Sequence, residues 1–147
     1  MKSNENEAYF NAHDENQIID SIRAAEAMTS GEIRVHISRQ KDPDALNTTQ
    51  YLFKELRMFN TKNRNAVLLH ISLSSKSFAI YGDIGIHRVV PEDFWESTKN
   101  IMQNHFQQGN LVQGICEGIK SVGEQLKTHF PWSDLDENQL PDNITYD

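Results

Sequence analysis

Glu32-Ile33-Arg34-Val35-His36-Ile37-Ser38 decides the fold. Ile33, Val35 and Ile37 alternate with polar residues, the period-two signature of a half-buried strand. Further on, Asn65-Ala66-Val67-Leu68-Leu69-His70-Ile71-Ser72-Leu73 is a second strand with a continuously apolar centre, as expected where both faces are covered. Between the two, Asp42-Pro43-Asp44 is a turn and helix start. Ala45, Leu52, Phe53, Leu56 and Phe59 then give an apolar stripe running to about Asn60. Strand, crossover helix and strand make a right-handed βαβ unit with parallel strands. Ser74-Ser75-Lys76 turns the chain into Ser77-Phe78-Ala79-Ile80-Tyr81, a third strand that returns antiparallel as a hairpin.

On the N-terminal side, Ile18, Ile19, Ile22, Ala25 and Met28 share one face of a helix from Asp14 to Thr29. Ser30-Gly31 breaks it, with Gly31 suited to a left-handed terminal position. On the other side, Gly82-Asp83-Ile84-Gly85 ends the third strand in a loop, and Pro91 with Glu92 and Asp93 reads as a helix start. Phe94, Trp95, Thr98, Ile101, Met102 and Phe106 line that helix. Gly109-Asn110 interrupts it, and Leu111, Ile115, Ile119, Val122 and Leu126 line a further helix that Pro131 stops. The acidic tail is mostly irregular, with Trp132, Leu135, Leu140, Ile144 and Tyr146 as docking residues. The order is α-β-α-β-β-α-α: an α/β fold with three layers, α/β/α, around a small mixed sheet. Residues 1–147 form one domain, with its core at about 14–130 and a C-terminal tail at 131–147.

Composition narrows the function. Apolar residues at 37% and charged residues at 24% of 147 describe an ordinary globular chain. A net charge of −7 argues against a nucleic-acid partner, which needs a basic stripe to neutralise phosphates, and favours cations. Met1-Lys2-Ser3-Asn4-Glu5-Asn6 opens no apolar segment of the secretory type, and no apolar run is long enough to span a bilayer. A cytoplasmic location without direct membrane insertion is therefore expected. The single cysteine, Cys116, makes no internal disulfide and reads as a core residue.

Several stretches together resemble the TPM domain family. They are Ala25-Glu26-Ala27-Met28-Thr29-Ser30-Gly31-Glu32-Ile33-Arg34-Val35, Arg64-Asn65-Ala66-Val67-Leu68-Leu69, Ala79-Ile80-Tyr81-Gly82-Asp83-Ile84-Gly85-Ile86 and Phe94-Trp95. Phe106-Gln107-Gln108-Gly109-Asn110-Leu111-Val112-Gln113-Gly114-Ile115 is similar to the family's end-of-domain motif, and Asn138-Gln139-Leu140-Pro141-Asp142 resembles an ending of a cytoplasmic bacterial branch. The resemblance implies the same three-layer fold. Members include thylakoid-lumen proteins of photosystem II repair and a membrane-tethered modulator of acetylcholine receptors. It also implies divalent-cation binding, calcium above all, or the acid phosphatase activity attributed to plant members. Protein partners would include membrane-associated ones of the LemA type.

The topology brings candidate ligands together. Glu32 starts the first strand, Asn65 starts the second and Asp83 follows the third, so all three lie at one end of the sheet. With main-chain carbonyls of Asn63 or Gly82 they offer a hard oxygen site of the kind calcium accepts, and magnesium with tighter geometry. Gly82 and Gly85 let the backbone approach an ion. The alternative is that Glu32 and Asp83 hydrogen-bond loop amides or pair with Arg64. The alternative activity, a low-specificity metal-dependent acid phosphatase, has no P-loop, Cys-x5-Arg or DxDx(T/V) signature behind it. The histidines (His13, His36, His70, His87, His105 and His129) lack zinc spacing, although His36 and His70 are candidate neighbours. Asp134-Leu135-Asp136-Glu137-Asn138 starts like a calcium loop, but Gln139 and Thr145 stand where glycine and glutamate are needed.

Overall fold

The computed structural model describes residues 10–132 and 139–147. Its elements run α1 Ala12–Glu26, β1 Glu32–Ser38, α2 Ala45–Glu55, β2 Ala66–Ser72, β3 Ser77–Gly82, α3 Ile84–His87, α4 Glu96–Gln107, α5 Leu111–His129 and β4 Thr145–Tyr146. The sheet order is β3-β2-β1-β4. β1 and β2 pair in parallel from Glu32↔Ala66 to Ser38↔Ser72, and β3 returns antiparallel with Val67↔Gly82. The α/β architecture is as the sequence predicts, with two additions. The segment after β3 is a short helix, because the Asp83 carboxylate accepts the Ile84 N–H at 2.7 Å and caps it. The tail is not wholly irregular: β4 pairs in parallel with β1, His36↔Thr145 and Ile37↔Tyr146.

Strand parity sorts the core into two layers, since successive side chains leave a strand on opposite faces. Ile33, Val35, Ile37, Val67, Leu69 and Ile71 face α1, α4 and α5, where Ile18, Ile22, Met102, Ile115, Ile119 and Leu126 complete the main core. Ala66 and Leu68 face the other way, against Phe53 of α2, Met58 and Leu140. On that second face β1 contributes Glu32, Arg34, His36 and Ser38, all buried. The sequence expects β1 to be half-buried; it is buried throughout.

α1 begins at Ala12, where Asn11 accepts the Asp14 N–H at 2.8 Å, and ends at Glu26, short of Thr29. Gly31 is not left-handed; it is required by close packing, since a Cβ there would lie 2.8 Å from Leu126 Cδ1. Phe94 and Trp95 precede α4, which starts at Glu96. Of the expected docking residues, Ile144 is buried, and Leu140 and Tyr146 pack against the two core layers. Trp132 does not dock; it is 48% exposed. Leu135 lies outside the described residues. No helix among the described residues is long and apolar enough to cross a membrane.

Candidate functional site at the strand-start end of the sheet

Glu32, Asn65 and Asp83 do occupy one end of the sheet. Ala66 lies between the outer two: it pairs with Glu32, and its carbonyl accepts the Asp83 N–H at 2.9 Å. Residues directly opposite one another share a face, so Glu32 and Asp83 project to the same side, two strand spacings or roughly 10 Å apart. Asn65 is out of phase by one residue and projects to the opposite side. There its Nδ2 donates to Ser30 Oγ at 3.3 Å, while its buried Oδ1 has no hydrogen-bond partner. Glu32 and Asp83 thus share a side at this sheet end, and the Asn65 amide does not.

Each carboxylate is engaged. Asp83, 2% exposed, takes a two-pronged contact from Arg64: Nε donates to Oδ2 at 2.6 Å and Nη2 to Oδ1 at 2.9 Å. The Asp83 hydrogen bonds hold the guanidinium above its ordinary pKa. Arg64 itself has φ +50° and a half-exposed side chain. Its carbonyl accepts the Gly85 N–H at 2.9 Å. The Asn63 and Arg64 carbonyls crowd Gly85 so closely that a Cβ there would lie 2.2 Å from Asn63 O. Gly82 instead lies against Ile86. Glu32 Oε1 accepts the main-chain N–H groups of Gln139 and Leu140 at 2.5 and 2.7 Å.

A carboxyl pair missed by sequence reasoning flanks Glu32. Glu26, at the end of α1, accepts the Ile33 N–H at 2.8 Å and hydrogen-bonds the Asp142 carboxyl. Burial foremost, then the Asp142 bond and the nearby Glu32 charge, push Glu26 up to about 10, so it carries a proton at neutral pH. Arg23 Nε stands 3.6 Å from Asp142. No spacing rule joins residues so far apart in sequence.

Further along the same face, His36 and His70 are indeed neighbours, with ring centroids 5.6 Å apart. His36 Nδ1 meets Thr145 Oγ1 at 2.6 Å and Nε2 meets Asp147 Oδ2 at 2.9 Å. Burial lowers its pKa, with Asp147 opposing. His70 Nε2 lies 2.8 Å from Asp42 Oδ2. Burial pushes Asp42 up, but Thr48, His70 and the Asp44 N–H outweigh it and hold the carboxyl below the usual range. Among the described residues no group of three or more His, Cys, Asp or Glu side chains is arranged to hold a metal. Cys116 packs against the main core, and burial raises its thiol. At the far end of the sheet a cavity of about 280 Å³ is lined by Ile71, Leu73, Phe78, Phe106 and Leu111.

The TPM domain model matches residues 3–125. The chain belongs to the TPM domain family. Its fold is close to that of a TPM-type neighbour, the BA42 protein of the psychrophilic bacterium Bizionia argentinensis. The two are 42% identical with a TM-score of 0.89, over 95% of this chain and 96% of that one. The N-terminal domain of the cg2496 protein of Corynebacterium glutamicum shares the TPM fold at 16% identity and a TM-score of 0.65, over 87% of this chain and 81% of that one. No protein with a curated description matches the chain. In family terms, the Gly31-Glu32 segment and the Gly82–Ile86 turn that carry the resemblance meet at one sheet end. The Phe106–Ile115 motif lies beside the apolar cavity.

Proposed function

We propose that this TPM domain is a divalent-cation-binding module, calcium being the ion that suits its donors, and that it presents the occupied loops to a protein partner. The observation that carries the reading is the state of Asp83. It is a buried carboxylate whose counter-charge is a half-exposed arginine on a loop, so the cation beside it is replaceable. Two residues on, at Gly85, stand the carbonyls of Asn63 and Arg64, and across Ala66 from Asp83 the Glu32 carboxylate. Oxygen donors of this type suit a hard ion with a loose coordination shell. An ion here takes Arg64's place on Asp83, and Glu32 joins when its amide partners yield. Asn65 supports the strand start from the opposite face. A membrane-associated partner of the LemA type and a cytoplasmic setting remain parts of the same proposal. Both Asp83 oxygens are held by Arg64, and nothing at the site favours turnover by a phosphatase over binding.

The test is a calcium titration followed by amide NMR. Wild-type signals of Asn63, Arg64, Asp83 and Ile84 should move together and saturate. Arg64→Gln removes the competing cation and should tighten binding, whereas Asp83→Asn should weaken it. At free calcium a hundredfold above Kd the melting point should rise, since mass action then gives about 2.7 kcal/mol. Shifts confined to other residues, or binding untouched by both substitutions, would refute the site.

A further inference from the structure

The second face of β1 holds a charge that the cation reading does not use. Arg34 is 8% exposed, and its Nε has no hydrogen-bond partner. It stands in no ion pair among the described residues. Burial pushes the guanidinium below its ordinary value, with no opposing carboxylate to hold it up. A buried cation without a counter-ion is costly, by several kcal/mol in typical cases. Residues that leave such a charge uncompensated are candidates for an anion that completes them.

A second orphan adjoins it. Arg34 pairs with Leu68 and His36 with His70, so Arg34 and His70 are diagonal neighbours on one face. His70 is 1% exposed, and its Nδ1 is also buried without a partner. Its other nitrogen is fixed against Asp42, which accepts from Nε2–H and leaves the Nδ1 lone pair as an acceptor. His36, the third basic group in the row, already carries a carboxylate, that of Asp147. The row thus offers two unmatched nitrogens beside a histidine whose anion is supplied by the tail.

We propose that Arg34 and His70 form a binding site for a small oxyanion that keeps a hydroxyl, a hydrogen-phosphate group, on the face of β1 away from the main core. Arg34 donates from its guanidinium edge and His70 Nδ1 accepts the ligand's hydroxyl, with Asp42 fixing the imidazole behind it. Residues 139–147 bond to β1 on both sides of Arg34, at Glu32 and at His36, so the ligand gains access when that segment lifts. The titratable and charged groups facing His70 are Asp42 from the loop before α2 and His36 and Arg34 from β1.

The probes are inorganic phosphate and formate, added separately to the full chain at constant ionic strength. The readouts are the Arg34 Nε–H and His70 ring signals. Expected is a saturable shift of both with phosphate and weaker binding of formate, which has no hydroxyl for Nδ1. Arg34→Met keeps the apolar stem and should keep the fold while weakening binding about tenfold or more, as for loss of a charge-assisted hydrogen bond. An unmoved Arg34 signal with both probes, or equal binding in Arg34→Met, overturns the site. So does an Arg34 signal that shifts without any added anion when Asp134, Asp136 and Glu137 are replaced by their amides, because the chain's own acids would then be the counter-ion.

Discussion

Replacing Glu26 by glutamine should make the protein more stable at neutral and mildly alkaline pH, and the gain should grow as pH rises. Glu26 is raised from 4.5 to about 10, with burial the main cause and the Asp142 hydrogen bond next. Below the unfolded-state value both states hold the proton and nothing is lost. Between 4.5 and about 10 the folded state keeps a proton that the unfolded state releases, so stability falls as pH rises through that window. The slope is at most about 1.4 kcal/mol per pH unit. From 4.5 to pH 7 the bookkeeping therefore reaches about 3 kcal/mol. Partial solvent access reduces it, so about 1–3 kcal/mol is expected at pH 7.

Glutamine is the right replacement because it reproduces the protonated carboxyl. Its carbonyl can still accept the Ile33 N–H, and its NH₂ can still donate to Asp142. It has no proton to lose in either state. Urea denaturation of both proteins at several pH values between 5 and 8, followed by circular dichroism, measures the difference. The two free energies should converge toward pH 5 and diverge above it. A Glu26→Gln protein that is no more stable than wild type at pH 8, or a difference that does not vary with pH, would show that Glu26 is ionised in the folded chain.

Two further substitutions test how the site end is held. Ile144→Asp places a charge where a 7%-exposed side chain packs on the main core and should cost about 2–4 kcal/mol in denaturant unfolding; an unchanged midpoint would mean that the tail adds nothing. Gly85→Ala drives a methyl to 2.2 Å from Asn63 O, so the turn at residues 63 and 64 must shift, at about 1–3 kcal/mol. Calcium binding should weaken in the same protein, and a neutral result would mean that the carbonyls are not positioned by this contact.

The fold was legible because its decisive segments are long enough to show a period. Ile33, Val35 and Ile37 alternate over seven residues, and the apolar stripes of α1 and α5 repeat over several turns. β4 is two residues long, too short for any pattern, and it forms only because the edge of β1 is there to receive it. The candidate cation site was legible only as far as topology reaches. Chain order places Glu32, Asn65 and Asp83 at one sheet end, but which face each side chain takes depends on register, which packing sets. The observed pairing Glu32↔Ala66 puts Asn65 out of phase.

The same logic explains why the buried polar row escaped notice. Arg34 and His36 occupy the polar positions of an alternating strand, which in isolation mark a solvent face. They are buried because the tail returns to bond Glu32 through the N–H groups of Gln139 and Leu140, and His36 through Thr145 and Asp147. Alternation in a sequence shows that two faces differ; it does not show that the polar one stays wet. Here the covering segment brings a carboxylate for His36 and main-chain donors for Glu32, but nothing among the described residues for Arg34. A cover that matches its neighbours on either side and leaves one cation unmatched is the arrangement from which an oxyanion ligand follows.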